Sequence, residues 1–181
     1  LSLIITLLFS NNIYAENIDA AACAKSLEAG NIASALAQAN TLLNNNKNDK
    51  DALICQGRAL SEKADFQGAL AAFKLAEENS SGAFDKTIAT LLMGNAYTSL
   101  KQSALAINSY QQTISNAKAA NSQAFERLAY NAIGNVYFDD QQFEKALVSY
   151  MAGNKLAAND NERGESYEKV ALTHHAMKQQ D

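Results

Sequence analysis

The 181-residue chain has no proline, no tryptophan, two cysteines, two histidines and eight glycines. So few histidines and cysteines leave no His-Glu-x-x-His and no paired-cysteine metal motif, and His174-His175 stands alone. Adjacent helical residues point about 100° apart, whereas helix-borne metal ligands need i, i+3 or i+4 spacing, so this pair is read as ordinary helix surface. No glycine-rich phosphate loop or nucleophile elbow occurs. Asp139-Asp140 and Glu77-Glu78 read as solvated helix ends, so no catalytic, metal or cofactor site is assigned. Basic residues are also scarce: 15 Lys and Arg against 19 Asp and Glu give a net charge of −4, without a basic block. Nucleic acid is therefore not an expected partner. What is abundant is alanine, leucine, asparagine, glutamine and lysine, a mixture that favours helices separated by asparagine-rich turns over a sheet.

The one long apolar run is Leu1-Ser-Leu-Ile-Ile-Thr-Leu-Leu-Phe9, followed by polar Ser10-Asn11-Asn12 and then Ile13-Tyr14-Ala15. It has the apolar centre and small-residue cleavage site of a secretory signal peptide, with the cut after Ala15. The chain opens on Leu, so an initiator Met and a basic segment are expected to precede it. A membrane anchor is the alternative, but nine residues fall short of the roughly 20 that span a bilayer. A lipid-modified Cys23 after Ala20-Ala21-Ala22 is disfavoured because Glu16 and Asp19 interrupt the apolar run. The expected location is periplasmic or secreted, with envelope association as a variant.

Residues 16–181 carry an internal repeat. Leu92-Met93-Gly94-Asn95-Ala96-Tyr97 returns as Ala132-Ile133-Gly134-Asn135-Val136-Tyr137. A glycine inside a helix costs roughly 1 kcal/mol relative to alanine, so its recurrence marks a close helix crossing. Cys23, Gly57, Gly94 and Gly134 occupy one slot, spaced 34, 37 and 40 residues apart. Twelve residues after each stands an alanine: Ala35, Ala69, Ala106 and Ala146. Ile32, Phe66, Ser103 and Phe143 precede those alanines by three; Ala39, Phe73, Tyr110 and Tyr150 follow them by four. Phe66, Ala69, Leu70 and Phe73 fall at i, i+3, i+4 and i+7, one stripe of a helix, and Phe143, Ala146, Leu147 and Tyr150 repeat it.

This pattern resembles the tetratricopeptide repeat (TPR), which runs Leu-Gly-x2-Tyr and then Ala-x3-Phe. The copy at Ile133–Tyr150 matches most closely, and the copy at Cys23–Ala39 is the most eroded. The proline that commonly closes the repeat is absent; Asn44-Asn45-Asn46 and Ser80-Ser81-Gly82 are expected to turn the chain through their tolerance of the left-handed conformation. The resemblance implies an all-α fold of TPR-like helix-turn-helix repeats stacked into a right-handed superhelix. It has about four repeats and a fifth first helix, in units near 16–49, 50–83, 84–120, 121–160 and 161–181. The longer copies are expected to have longer helices. Within a repeat, Gly94 is expected to face Ala106, with Tyr97 and Tyr137 filling the space between units.

The resemblance further implies a non-enzymatic protein–protein interaction scaffold that holds a peptide or partner protein on its concave face. Carried over by slot, the candidate partner-binding residues are Arg58, Asn95, Asn131, Asn135, Phe138 and Asp139. The asparagines are expected to bond a peptide backbone, and Phe138 is the expected anchor. Alternatives are an assembly module that self-associates through its last helix, or the TPR domain of a larger protein. Cys23 and Cys55, on successive first helices, are either a disulfide or two buried small residues.

Overall fold

The computed structural model describes residues 18–178, in which there are nine α-helices and no strand. The expected signal segment, residues 1–15, lies outside the described residues. The helices are α1 (Ile18–Glu28), α2 (Ile32–Asn45), α3 (Lys50–Glu62), α4 (Phe66–Glu78), α5 (Ala83–Ser99), α6 (Ser103–Ala119), α7 (Gln123–Asp139), α8 (Phe143–Asn154) and α9 (Asp160–Lys178). Contacts divide the chain into two units, one up to Asn79 and one from Ser80. In the first, α1 packs on α2, α2 on α3 and α3 on α4, and α1 also touches α3. The second repeats that order from α5 to α9, with α5 also touching α7. Helices α5, α6 and α7 have 17 residues each, against 13 for α3 and α4. The additional repeat length is thus taken up as about one more helical turn.

The hairpins close without proline by a device that composition conceals. Gly30, Ala64, Lys101 and Gln141 all have φ between 58° and 73°. They stand 34, 37 and 40 residues apart, each seven after the small-residue marker of its repeat. Around each runs the same pair of hydrogen bonds. At Ala64 they are Asp65 N to Leu60 O at 2.9 Å and Ala64 N to Ser61 O at 2.9 Å. At Gln141 they are Gln142 N to Tyr137 O at 2.8 Å and Gln141 N to Phe138 O at 2.9 Å. This is the Schellman motif, which satisfies the last carbonyls of the first helix. The next residue occupies the N-cap position of the second helix; at Asp65 the carboxylate accepts from Gly68 N at 2.9 Å, whereas Asn31, Gln102 and Gln142 make no side-chain cap bond. The expected turn residues behave differently: Asn46 is extended, with φ −142°, and so is Gly82, with φ −91°. These two connections between hairpins have no left-handed residue at those positions, whereas the α6–α7 connection has one at Asn121, with φ 54°.

The glycine slot is explained by aromatic rings rather than by alanine. A Cβ at Gly57 or Gly94 would lie 2.6 Å from Cδ1 of Phe73 or Tyr110, and one at Gly134 would lie 2.5 Å from Cδ1 of Tyr150. Each ring comes from a residue 16 positions later on the second helix, so the expected Gly94–Ala106 opposition is replaced by Gly94–Tyr110. Alanine at Ala69, Ala106 and Ala146 is nonetheless fully buried. The first repeat exchanges sizes across the same crossing, with Cys23 in the glycine slot and Ala39 in the ring slot, both fully buried. A larger residue on one helix is offset by a smaller one on the other, so the pair keeps its volume.

Cys23 and Cys55 are joined by a disulfide with a Cα separation of 6.3 Å. They sit in one apolar cluster with Ala35, Ala39 and Ala59. In the second unit, Ala106, Tyr110 and Ile114 of α6 meet Ala129, Ile133 and Val136 of α7 in one core cluster. Tyr97 and Tyr137 cover that core as half-buried neighbours.

Candidate partner-binding face

In α5 and α7 the residue after the marker glycine is rotated about 100° from the crossing, which brings it to the edge of the helix pair. There Asn95 Oδ1 accepts a hydrogen bond from Tyr110 Oη at 2.8 Å, and Asn135 Oδ1 accepts one from Tyr150 Oη at 2.9 Å. The two arrangements are the same piece of structure, repeated. Burial pushes the Tyr110 hydroxyl up to about 12, although its bond with Thr98 acts in the opposite sense. Burial, assisted by the negative charge of Asp139, also pushes Tyr150 up to about 12. Both phenols therefore stay protonated near neutral pH and serve as fixed donors. With each oxygen held inward, each Nδ2 keeps two donor hydrogens, and among the described residues neither amide nitrogen donates a hydrogen bond.

The other predicted residues of this unit have different surroundings. Asn131 is only 8% exposed, and its Oδ1 lies so close to Gly153 that a Cβ there would be 2.6 Å away. Phe138 is half-buried, its ring edge-on to Phe143 with centroids 5.4 Å apart. Asn135 and Asp139 are exposed, and Asn95 is half-buried. The structure thus brings Asn135 and Asp139 together around Tyr150, whereas Asn131 and Phe138 take part in the α7–α8 packing. Arg58 is half-buried on α3, in the first unit.

One charged residue was missed by slot matching. Arg127 of α7 is 9% exposed, with Nε 3.2 Å from Glu162 Oε2 and Nη1 3.5 Å from Glu165 Oε2, both on α9. The Nε contact has ion-pair distance without hydrogen-bond alignment. Lys169, also on α9, places Nζ 3.3 Å from Asn135 Oδ1 and 5.7 Å from the centre of the Tyr150 ring. A signal for Arg127 did exist. It falls at i in the i, i+4, i+7 stripe with Asn131 and Gly134, where α5 has fully buried Thr87 in the corresponding place.

No group of three or more His, Cys, Asp or Glu that could hold a metal occurs among the described residues. No helix among them is long and apolar enough to cross a membrane.

No family model and no curated protein sequence matches the chain. Solved structures do. YrrB, a TPR protein with an unusual peptide-binding site, superposes with a TM-score of 0.62 over 86% of this chain and 74% of its own, at 15% identity. The fold is that of the TPR proteins. MamA aligns with a TM-score of 0.68 and 18% identity over 86% of this chain and 84% of its own. Residues 41 to the end of MamA from Desulfovibrio magneticus RS-1 align at 0.62 and 19% identity, covering 92% and 99%. The repeat word of this chain, Gly-Asn-x-Tyr, is thereby assigned to TPR first helices.

Proposed function

We propose that this chain is an exported, non-catalytic scaffold that binds a peptide or partner protein along the first-helix face of its TPR array. The observation that carries the reading is the paired geometry of Asn95 and Asn135. Each amide is fixed by a buried tyrosine through its oxygen and keeps its nitrogen for a backbone carbonyl of a ligand. A fixed donor loses little conformational entropy on binding. The peptide-binding site of YrrB, which has the same fold, lends support. Asp139, exposed beside Asn135, supplies a negative charge on the same face. Export is supported by the apolar run Leu1–Phe9 and by the Cys23–Cys55 disulfide, a bond that persists in oxidising compartments.

The test selects peptides from a displayed random library on the wild-type chain, then measures the selected peptides against Asn95→Asp/Asn135→Asp. Aspartate keeps an oxygen for each tyrosine and replaces each amide donor with a carboxylate, which a ligand carbonyl meets as an acceptor bearing negative charge. At least a tenfold loss of affinity is expected, from one or two lost hydrogen bonds. Unchanged affinity for every selected peptide would remove these amides from the binding face.

A further inference from the structure

The last helix is attached to its neighbours in a way unlike the other helices of its unit. Helix α7 buries Ala129, Ile133 and Val136, whereas α9 buries only Ser166 and Thr173 to that degree. Both are small, and both hydroxyls bond to their own helix, Ser166 to Glu162 O at 3.1 Å and Thr173 to Lys169 O at 2.7 Å. They therefore contribute little apolar surface to the contact. Val170 and Met177 are half-buried, while Tyr167 and Leu172 are 61% and 55% exposed. Charged side chains of α9 also reach α7 and α8. Glu162 and Glu165 meet Arg127, and Lys169 meets Asn135 and the Tyr150 ring.

The surface beneath is also imperfectly matched. Asn131 Oδ1 is buried without a hydrogen-bond partner, and so is Oδ1 of Asn154, the residue after Gly153. Arg127 Nε is near its carboxylate but not aligned with it. A short segment, residues 155–159, joins α8 to α9. Within it Leu156 N bonds Gly153 O at 3.0 Å, and Asn159 Oδ1 accepts from Glu162 N at 3.0 Å as the start of α9.

We propose that α9 is an exchangeable helix, and that the α7–α8 surface around Arg127 accepts the α9 of a second copy of this chain in place of its own. A second copy offers the same Glu162, Glu165 and Lys169 at the same spacing, so every charge contact is kept on exchange. Only the five-residue connection has to straighten, which is the low-barrier condition for swapping an identical element between protomers. An unrelated basic or neutral helix would leave the Arg127 charge buried without a counter-charge. The proposal does not rest on the peptide-binding reading. Its test reads mass alone, so the two can fail separately.

The test uses two variants of the 181-residue chain, Arg127→Glu and Glu162→Arg/Glu165→Arg. Each alone opposes like charges at its own α9 contact. Exchange between the two kinds of chain restores both contacts, one in each orientation. After refolding together, native mass spectrometry is expected to show a one-to-one mixed dimer, with neither variant forming a dimer alone. A mixture that yields only the separate chains overturns the proposal. Should either variant lack helical circular dichroism, wild-type chains with and without 15N decide instead. Refolded together at the highest soluble concentration, they are expected to give mixed-mass dimers that are lost in Glu162→Gln/Glu165→Gln. No mixed mass, or dimers that survive those glutamines, overturns it equally.

Discussion

Replacing Gly134 by alanine sets two opposing effects against each other at one atom. Alanine in a helix interior is favoured over glycine by about 1 kcal/mol. The added Cβ, however, would lie 2.5 Å from Tyr150 Cδ1 and 3.0 Å from Cζ, where ordinary contact begins at 3.4 Å. The ring must therefore retreat by nearly an ångström. It is 3% exposed, and its hydroxyl is tethered to Asn135 at 2.9 Å, so the retreat strains both packing and the hydrogen bond. Overpacking of this kind costs about 1–3 kcal/mol, which offsets or exceeds the helical gain. Gly164 of α9 supplies the reference, because a Cβ there meets nothing within 4 Å. Gly164→Ala is expected to stabilise by up to about 1 kcal/mol. Urea denaturation of the two variants should differ by about 1–3 kcal/mol, with Gly134→Ala the less stable. Adding Tyr150→Leu should then turn the Gly134→Ala change favourable. Equal stabilisation by both alanines would refute the glycine–ring crossing.

Gln141→Gly and Lys101→Gly are each expected to stabilise by about 1 kcal/mol, since both residues hold a left-handed conformation that penalises a Cβ; destabilisation in urea titrations would contradict this. Tyr110 titrates at about 12 in the folded chain against 10.0 ordinarily, so above pH 10 the unfolded chain has released a proton that the folded chain retains. Stability is thus fully present below pH 10 and falls by up to about 1.4 kcal/mol per unit between pH 10 and 12. Phenolate absorbance together with pH-dependent melts reads both sides, and Tyr110→Phe should remove this component of the slope. Cys23→Ala/Cys55→Ala opens a loop of sequence separation 32 and is expected to lower stability by about 3–4 kcal/mol on the chain-entropy relation. An unchanged urea midpoint would show that the bridge constrains nothing.

Much of this architecture is written locally and could be read as such. The stripe Phe143, Ala146, Leu147, Tyr150 needs only helical periodicity, and three of its four members are buried in the structure. The partner of the marker glycine was less accessible, because opposition across a hairpin depends on the rise of both helices through the turn. Ala106 and Tyr110 are one turn apart on α6, and spacing alone does not tell them apart. The left-handed residues Ala64, Lys101 and Gln141 carry no chemical signature of that conformation. Their period is the only trace. Arg127 was hidden for another reason, since its counter-charges come from α9, 35 and 38 residues further along the chain. Asn131 and Phe138 match partner-facing slots by position, yet Gly153 and Phe143 of α8 draw them into the helix pair.

The word Gly-Asn-x-Tyr joins packing to the candidate face through a single side chain. Gly134 makes room for the Tyr150 ring, and the ring's hydroxyl orients Asn135. Core and surface should therefore be coupled, and a double-mutant cycle measures by how much. Tyr150→Phe keeps the ring and removes the donor; Asn135→Ala removes the acceptor. Tyr150→Phe leaves Asn135 Oδ1 with Lys169 alone, Asn135→Ala leaves the Tyr150 hydroxyl without its acceptor, and the double variant removes both members of the pair. The coupling energy is expected to be about 0.5–1.5 kcal/mol, the range of a net intramolecular hydrogen bond. Because Lys169 also reaches Asn135 at 3.3 Å, the cycle should be repeated with Lys169→Met, which removes the second donor. Coupling that survives there belongs to the tyrosine. Additivity within about 0.3 kcal/mol in both backgrounds would mean that Tyr150 does not hold Asn135 in solution, and that the amide is oriented by the ligand instead.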